Sequence, residues 1–235
     1  MMNHRNIVSG GFTLVELLIA MAISGIVMAG VMTAFLSQHG SYLVQDNVVE
    51  MQQNIRAAME LITSEVRMAG YDPSGNASAG IVTATAGRLG FTQDLNDDGL
   101  TTGANESITY GFSTANDANG DGMADTGSAS LGRNTGTATG VGGSGFQPVS
   151  ENFQAVEFNY LMADGTFTSA PAAATFNDIR GVRISLLVRA AQADSKFTNT
   201  RTYTSASGAT WGSPYNDQFR RWLLITTIKC RNLGL

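Results

Sequence analysis

Thiols and imidazoles are scarce in this chain, and their scarcity removes most familiar catalytic and metal chemistries. Cys230 is the single cysteine. It excludes an intrachain disulfide and any zinc site built from several thiolates. Only two histidines occur, His4 and His39, so nothing from Ser41 onward carries an imidazole. A Ser-His-Asp triad, a Cys-His pair and a histidine metal centre are therefore excluded there. Paired carboxylates remain as a catalytic option, but no spacing singles out a pair, and the reading is non-enzymatic. Lysine is equally rare, at Lys196 and Lys229 alone, and the net charge is −5. A nucleic-acid surface announces itself by clustered Lys and Arg, so nucleic acid is not an expected partner.

Charge is missing altogether from Leu17 to Gln45, where no Asp, Glu, Lys or Arg occurs. Leu17 to Leu36 makes about 30 Å of helix at 1.5 Å per residue, enough to cross a bilayer core. His4 and Arg5 precede the run, and the next Lys or Arg is Arg56. The positive-inside bias keeps the N-terminus cytoplasmic and exports the remainder. Ala20-Met21-Ala22 resembles a signal-peptidase site, but the apolar run continues well beyond it. Neither a cleaved signal nor a plain anchor explains Glu16 at the head of the run, or Gly10-Gly11 just before Phe12.

Gly11 followed by Phe12-Thr13-Leu14-Val15-Glu16-Leu17 resembles the signal of type IV prepilins and pseudopilins. The resemblance implies that a membrane aspartyl prepilin peptidase cuts between Gly11 and Phe12 and methylates the new amine of Phe12. Glu16 then becomes the fifth residue of the mature chain. A lone charge at mid-membrane costs roughly 2.5–3.5 kcal/mol on insertion scales, so Glu16 needs a partner. The resemblance supplies one, the amine of Phe12 in a neighbouring subunit, as the assembly contact. Snorkelling to the headgroups, or pairing with its own chain's terminus four residues back, satisfies the same geometry. Ala22, Gly25, Ala29, Gly30 and Ala34 would let such helices approach closely. The segment has no proline, although many major pilins carry one there.

Past the membrane run, Val44, Val48, Met51, Ile55, Met59, Ile62 and Val66 recur at spacings of three and four. They form the apolar stripe of an amphipathic helix that packs on a sheet, with Glu50, Arg56, Glu60, Glu65 and Arg67 mostly on its polar surface. Gly70 and Pro73 end it. Ile81–Ala84, Arg88–Thr92, Ser107–Phe112, Ala155–Leu161, Val182–Arg189 and Trp222–Ile228 then read as strands separated by turn formers. An α+β fold follows, a long helix on an antiparallel sheet. Residues 127–147 and 200–217 read as irregular surface loops. Cys230, after "LLITTIK", reads as a small buried strand residue. The resulting division is 1–11 leader, 12–36 transmembrane and assembly helix, 37–70 amphipathic continuation and 71–235 exported head.

The segments "VRMAGYDPSGN", "LGRNTG", "QPVSENFQAVEFNYLMADG", "GVRISLLVRA" and "RRWLLITTIKCRNLGL" resemble one branch of the pilin family, the PilW-like minor pilins. That resemblance implies a pilin-like fold and a structural role. The subunit would sit in the inner membrane, then join other major and minor pilins through its N-terminal helix. It would help initiate a type IV pilus, at its tip or near it, and reach the cell surface for motility or adhesion. A minor pseudopilin of a type II secretion system shares the N-terminal signal. A membrane-anchored calcium-dependent adhesin or binding module that never polymerises is the alternative from another class.

Two segments repeat D-x-N-x-D-G: Asp94, Asn96, Asp98 and Gly99, then Asp117, Asn119, Asp121 and Gly122. Oxygen-bearing side chains at the first, third and fifth positions suit one hard cation, with glycine making the sharp turn. An EF-hand also needs a bidentate acid at the twelfth position, where Asn105 and Ser128 stand instead. Glu106 lies one place beyond, and Asp125 is ninth in the second loop. A freestanding calcium (Ca2+) loop therefore stands beside the plainer reading, that Asp, Asn and Gly favour turns.

Overall fold

The computed structural model describes residues 11–136, 145–212 and 214–234, and the chain divides into two compact units, Met1–Asp46 and Asn47–Leu235. Helix α1, Leu14–Val66, is one run of 53 residues. In the first unit every residue from Gly11 to Leu43 is exposed. Leu, Ile, Val, Met and Phe side chains point out on all sides, from Leu14 to Leu36. A helix exposed and apolar all round suits lipid, and this one is long and apolar enough to cross a membrane. Two of its hydroxyls bond back to the helix: Thr33 donates to the Ala29 carbonyl at 2.8 Å and Ser41 to that of Ser37 at 3.1 Å. The backbone bonds are internal to the helix, as hydrocarbon requires.

In the second unit the remainder of α1 buries Met51, Ile55, Ala58, Met59, Ile62 and Val66. This is the expected stripe, with Ala58 added and Val48 half-buried at its start. Each fully buried aliphatic side chain stabilises the fold by about 1.5–3 kcal/mol. Past Val66 the chain turns, and Gly70 takes φ +77°, where its N–H donates to the Thr92 carbonyl. A side chain at that φ is strained, so glycine ends the helix there.

Ten strands follow. β1 is Ile81–Ala84, β2 Arg88–Thr92, β3 Ser107–Gly111, β4 Ala129–Asn134 and β5 Gln147–Met162. β6 is Phe167–Thr168, β7 Ile179–Arg189, β8 Tyr203–Thr204, β9 Thr210–Trp211 and β10 Arg221–Lys229. The main sheet runs β1-β2-β3-β4-β5-β7-β10, with β6 added on β5, and every pairing is antiparallel. One face meets α1 in a core that includes Phe91, Tyr110, Phe153, Phe158 and Tyr160. The other face carries Ala155 and Leu187, against Tyr203 and Trp211 of the β8–β9 hairpin. Glu157 fixes that hairpin from beneath, accepting hydrogen bonds from the Ser205 hydroxyl at 2.9 Å and the Ser207 backbone at 3.2 Å.

Two expected loops are corrected. The 127–147 stretch contains β4, and 200–217 contains β8 and β9. β4 reads "ASLGRN", poor in strand formers, and is held by its neighbours on both sides, with Leu131 fully buried. Pairing and burial outweigh propensity there. Residues 137–144 of that stretch lie outside the described residues, as do residues 1–10 of the expected leader. Cys230 is buried as expected but sits one residue beyond β10, and burial pushes its thiol up to about 12.

Candidate functional site: the helix start and the aspartate loops

Thr13 immediately precedes α1, and its side chain caps it. The Glu16 backbone N–H points to Thr13 Oγ1 at 3.3 Å, and Glu16 Oε2 accepts from the Thr13 N–H at 2.9 Å and from its hydroxyl at 2.8 Å. This is a reciprocal capping box, and it satisfies donors that the first helical turn leaves orphaned. An acid in the first turn also complements the helix dipole. Glu16 is thus held by its own chain three residues back. Among the described residues only Oε2 takes part, which leaves Oε1 open to an external donor. Phe12, the residue before Thr13, is 93 % exposed, and among the described residues no atom beyond its chain neighbours lies within 4 Å of a Cβ built on Gly11. The T-x-x-E spacing that encodes the cap is visible in the sequence, and Thr13 is the residue that the sequence reading passed over.

The two aspartate loops adopt the same conformation. In the first, Asp94 Oδ1 accepts from the Asp97 N–H at 2.7 Å and Oδ2 from that of Gly99 at 3.0 Å. In the second, Asp117 Oδ1 accepts from Gly120 at 2.8 Å and Oδ2 from Gly122 at 2.9 Å. Asn96 and Asn119 each accept from the backbone two residues on, at 3.1 Å. Their amides each donate to the following aspartate, Asp98 or Asp121, at 2.9 Å. The fourth and sixth positions have positive φ in both: Asp97 61° and Gly99 76°, Gly120 72° and Gly122 82°. Glu106 joins the first loop, accepting from Leu95 at 3.1 Å and Gly103 at 2.6 Å. Asp125 joins the second, accepting from Ala118 at 2.9 Å. The leading aspartates are buried, Asp94 and Asp117 alike. In both loops the expected oxygen atoms accept backbone N–H groups and so organise the turns. Among the described residues no group of three or more His, Cys, Asp or Glu side chains is assembled for a metal.

A third cluster was not expected. Arg133 of β4 grips Glu65 of α1 with two bonds, Nε to Oε2 at 2.9 Å and Nη2 to Oε1 at 2.8 Å. The Tyr110 hydroxyl of β3 donates to the same Oε2. Burial first, and then the Glu65 carboxylate, push the Tyr110 phenol well above its ordinary range. The cluster ties the helix to two strands and has the character of a structural clamp.

Residues 140–232 match the family model described as Type IV Pilus-assembly protein W, and residues 8–32 match that of the prokaryotic N-terminal methylation motif. No curated protein matches the chain. Among solved structures, the type IV-like pilin TTHA1219 from Thermus thermophilus is similar at 14 % identity and a TM-score of 0.46. The similarity covers 78 % of this chain and 98 % of that one.

Proposed function

We propose that this type IV pilin-like chain, with its N-terminal methylation motif and PilW-type C-terminal part, is a minor pilin that helps start pilus assembly. The observation that carries the reading is the junction at Gly11, Phe12 and Glu16. A peptidase signal, a capped acid and a helix apolar on every side stand in immediate succession. Prepilin peptidase cuts after Gly11 and methylates Phe12. The chain then waits in the inner membrane, N-terminus inward and head exported. On assembly Glu16 takes the ammonium of Phe12 from a neighbouring pilin, and the filament carries the head to the cell surface. Deleting the gene is expected to abolish surface pili and twitching while leaving exoprotein secretion intact. Lost secretion with normal pili would instead make it a type II secretion pseudopilin.

The twin loops support a second, separable proposal, that each holds one calcium ion through its Asp and Asn oxygens. What favours it is the recurrence of one loop conformation at two places in the chain, each with a further carboxylate, Glu106 or Asp125. The ion would neutralise buried Asp94 and Asp117. Millimolar calcium is expected to raise the melting temperature, and Asp121→Ala to shrink the rise. An unchanged melting temperature would refute this without touching the pilin reading.

A further inference from the structure

The sheet ends on one side at β10, and its outer edge is unprotected. Strand edges are normally blunted by proline, a bulge, an inward charge or a covering element. β10 has none of the first three along its middle. Its sequence from Trp222 to Ile228 lacks charge and proline. Its nine pairings with β7, from Arg221↔Arg189 to Lys229↔Gly181, run without a register shift. Among the described residues, no strand pairs with its other side, and no loop backbone bonds to residues 222–229. Trp222 and Ile225, on opposite faces of the strand, are 44 % and 42 % exposed. Between this edge and α1 lies an open groove of about 380 Å³, whose lining includes Met59, Thr63 and Leu224, with one acid, Glu60, beside the two cations Arg56 and Arg67.

Charge distinguishes the occupants. At the C-terminal end of β10, Lys229 and Arg231 are exposed. Arg67 is drawn close, because the Asn232 amide reaches its carbonyl at 3.5 Å. Arg180 lies alongside, its carbonyl accepting from the Cys230 N–H at 3.1 Å. None of these four cations has a carboxylate within ion-pair reach among the described residues. The chain as a whole is acidic at −5, so this corner is a local exception. A second copy fits poorly: antiparallel self-pairing about Ile225 sets Lys229 against Arg221. A strand with acids at the matching end fits both the edge and the corner.

We infer that β10 accepts a strand from a different polypeptide, antiparallel to it, apolar at alternate positions and acidic at its N-terminal end. Main-chain bonds supply the affinity, and the cationic corner fixes direction and partner. The inference rests on the sheet edge and stands whatever the filament role of the chain. The test uses the full chain in detergent and three ten-residue peptides of alternating Val and Thr. The first has two N-terminal glutamates, the second has lysines there, and the third is the first with its backbone amides methylated. The glutamate peptide is expected to bind about tenfold more tightly than the lysine peptide. It should slow amide exchange at alternate positions of 222–229, and the methylated peptide should not bind. Lys229→Glu, a surface change, should narrow the preference for the glutamate peptide, because three of the four cations remain. Equal binding of both charged peptides, or no protection of 222–229, would overturn the inference. So would dimerisation of the chain that Ile225→Lys abolishes, because the occupant would then be a second copy.

Discussion

Glu16→Ala is expected to leave the leader cut and the chain in the membrane, while its recovery in sheared filaments falls at least about tenfold. Removing one partner of a desolvated ion pair costs about 3–5 kcal/mol, and 1.4 kcal/mol already corresponds to tenfold. The single chain also uses Glu16 as the far half of a capping box with Thr13. Alanine therefore removes two interactions at once, and a second variant is needed to separate them. Glutamine can replace glutamate as the acceptor half of a capping box, so Glu16→Gln keeps the cap and removes only the charge. If assembly depends on an ammonium–carboxylate pair, Glu16→Gln should fail as Glu16→Ala does. Thr13→Val removes the cap and keeps the charge, at about 1 kcal/mol in helix stability, and should assemble far better than either. Immunoblots of sheared filaments against the membrane fraction read all three. Normal incorporation of Glu16→Gln would mean that the carboxylate charge has no part in assembly.

The second large effect lies in the head. Glu65→Ala is expected to destabilise the unit from Asn47 onward by about 2–4 kcal/mol, because it strands a half-buried guanidinium and a buried phenol together. Arg133 and Glu65 side chains are each 20 % exposed, so solvent compensates only in part. Arg133→Ala should cost a similar amount. The double variant should cost less than the sum, with a coupling of about 1–3 kcal/mol. Thermal melts of the full chain followed by circular dichroism measure it. Additive losses would show that the pair acts as two independent surface residues.

Much of this architecture is legible residue by residue. The apolar run and the Met51–Val66 stripe carry a helical period, so α1 reads directly from the sequence. Arg88–Thr92 and Val182–Arg189 are rich in apolar or branched residues, and both are strands. β4 is not legible, because its Gly, Asn and Arg positions take their burial from β3 and β5 rather than from any period. The first half of β5, "QPVSENFQ", and the two-residue strands β8 and β9 escape for the same reason, being shaped by pairing rather than by any period. Glu65 shows a different limit. The stripe assigns it to the polar side of α1, yet residues 45 and 68 positions away fold back onto it. The Thr13 cap was within reach, since T-x-x-E is a local pattern. The twin aspartate turns were legible as turns, because each aspartate bonds to backbone only a few residues ahead.

The intact mass of the chain recovered from sheared filaments tests the central claim most directly. A chain lacking residues 1–11 and carrying one added methyl on Phe12 is the predicted species. A full-length mass, or an uncut chain confined to the membrane, would contradict the reading of Gly11, Phe12 and Glu16 as a processed assembly junction.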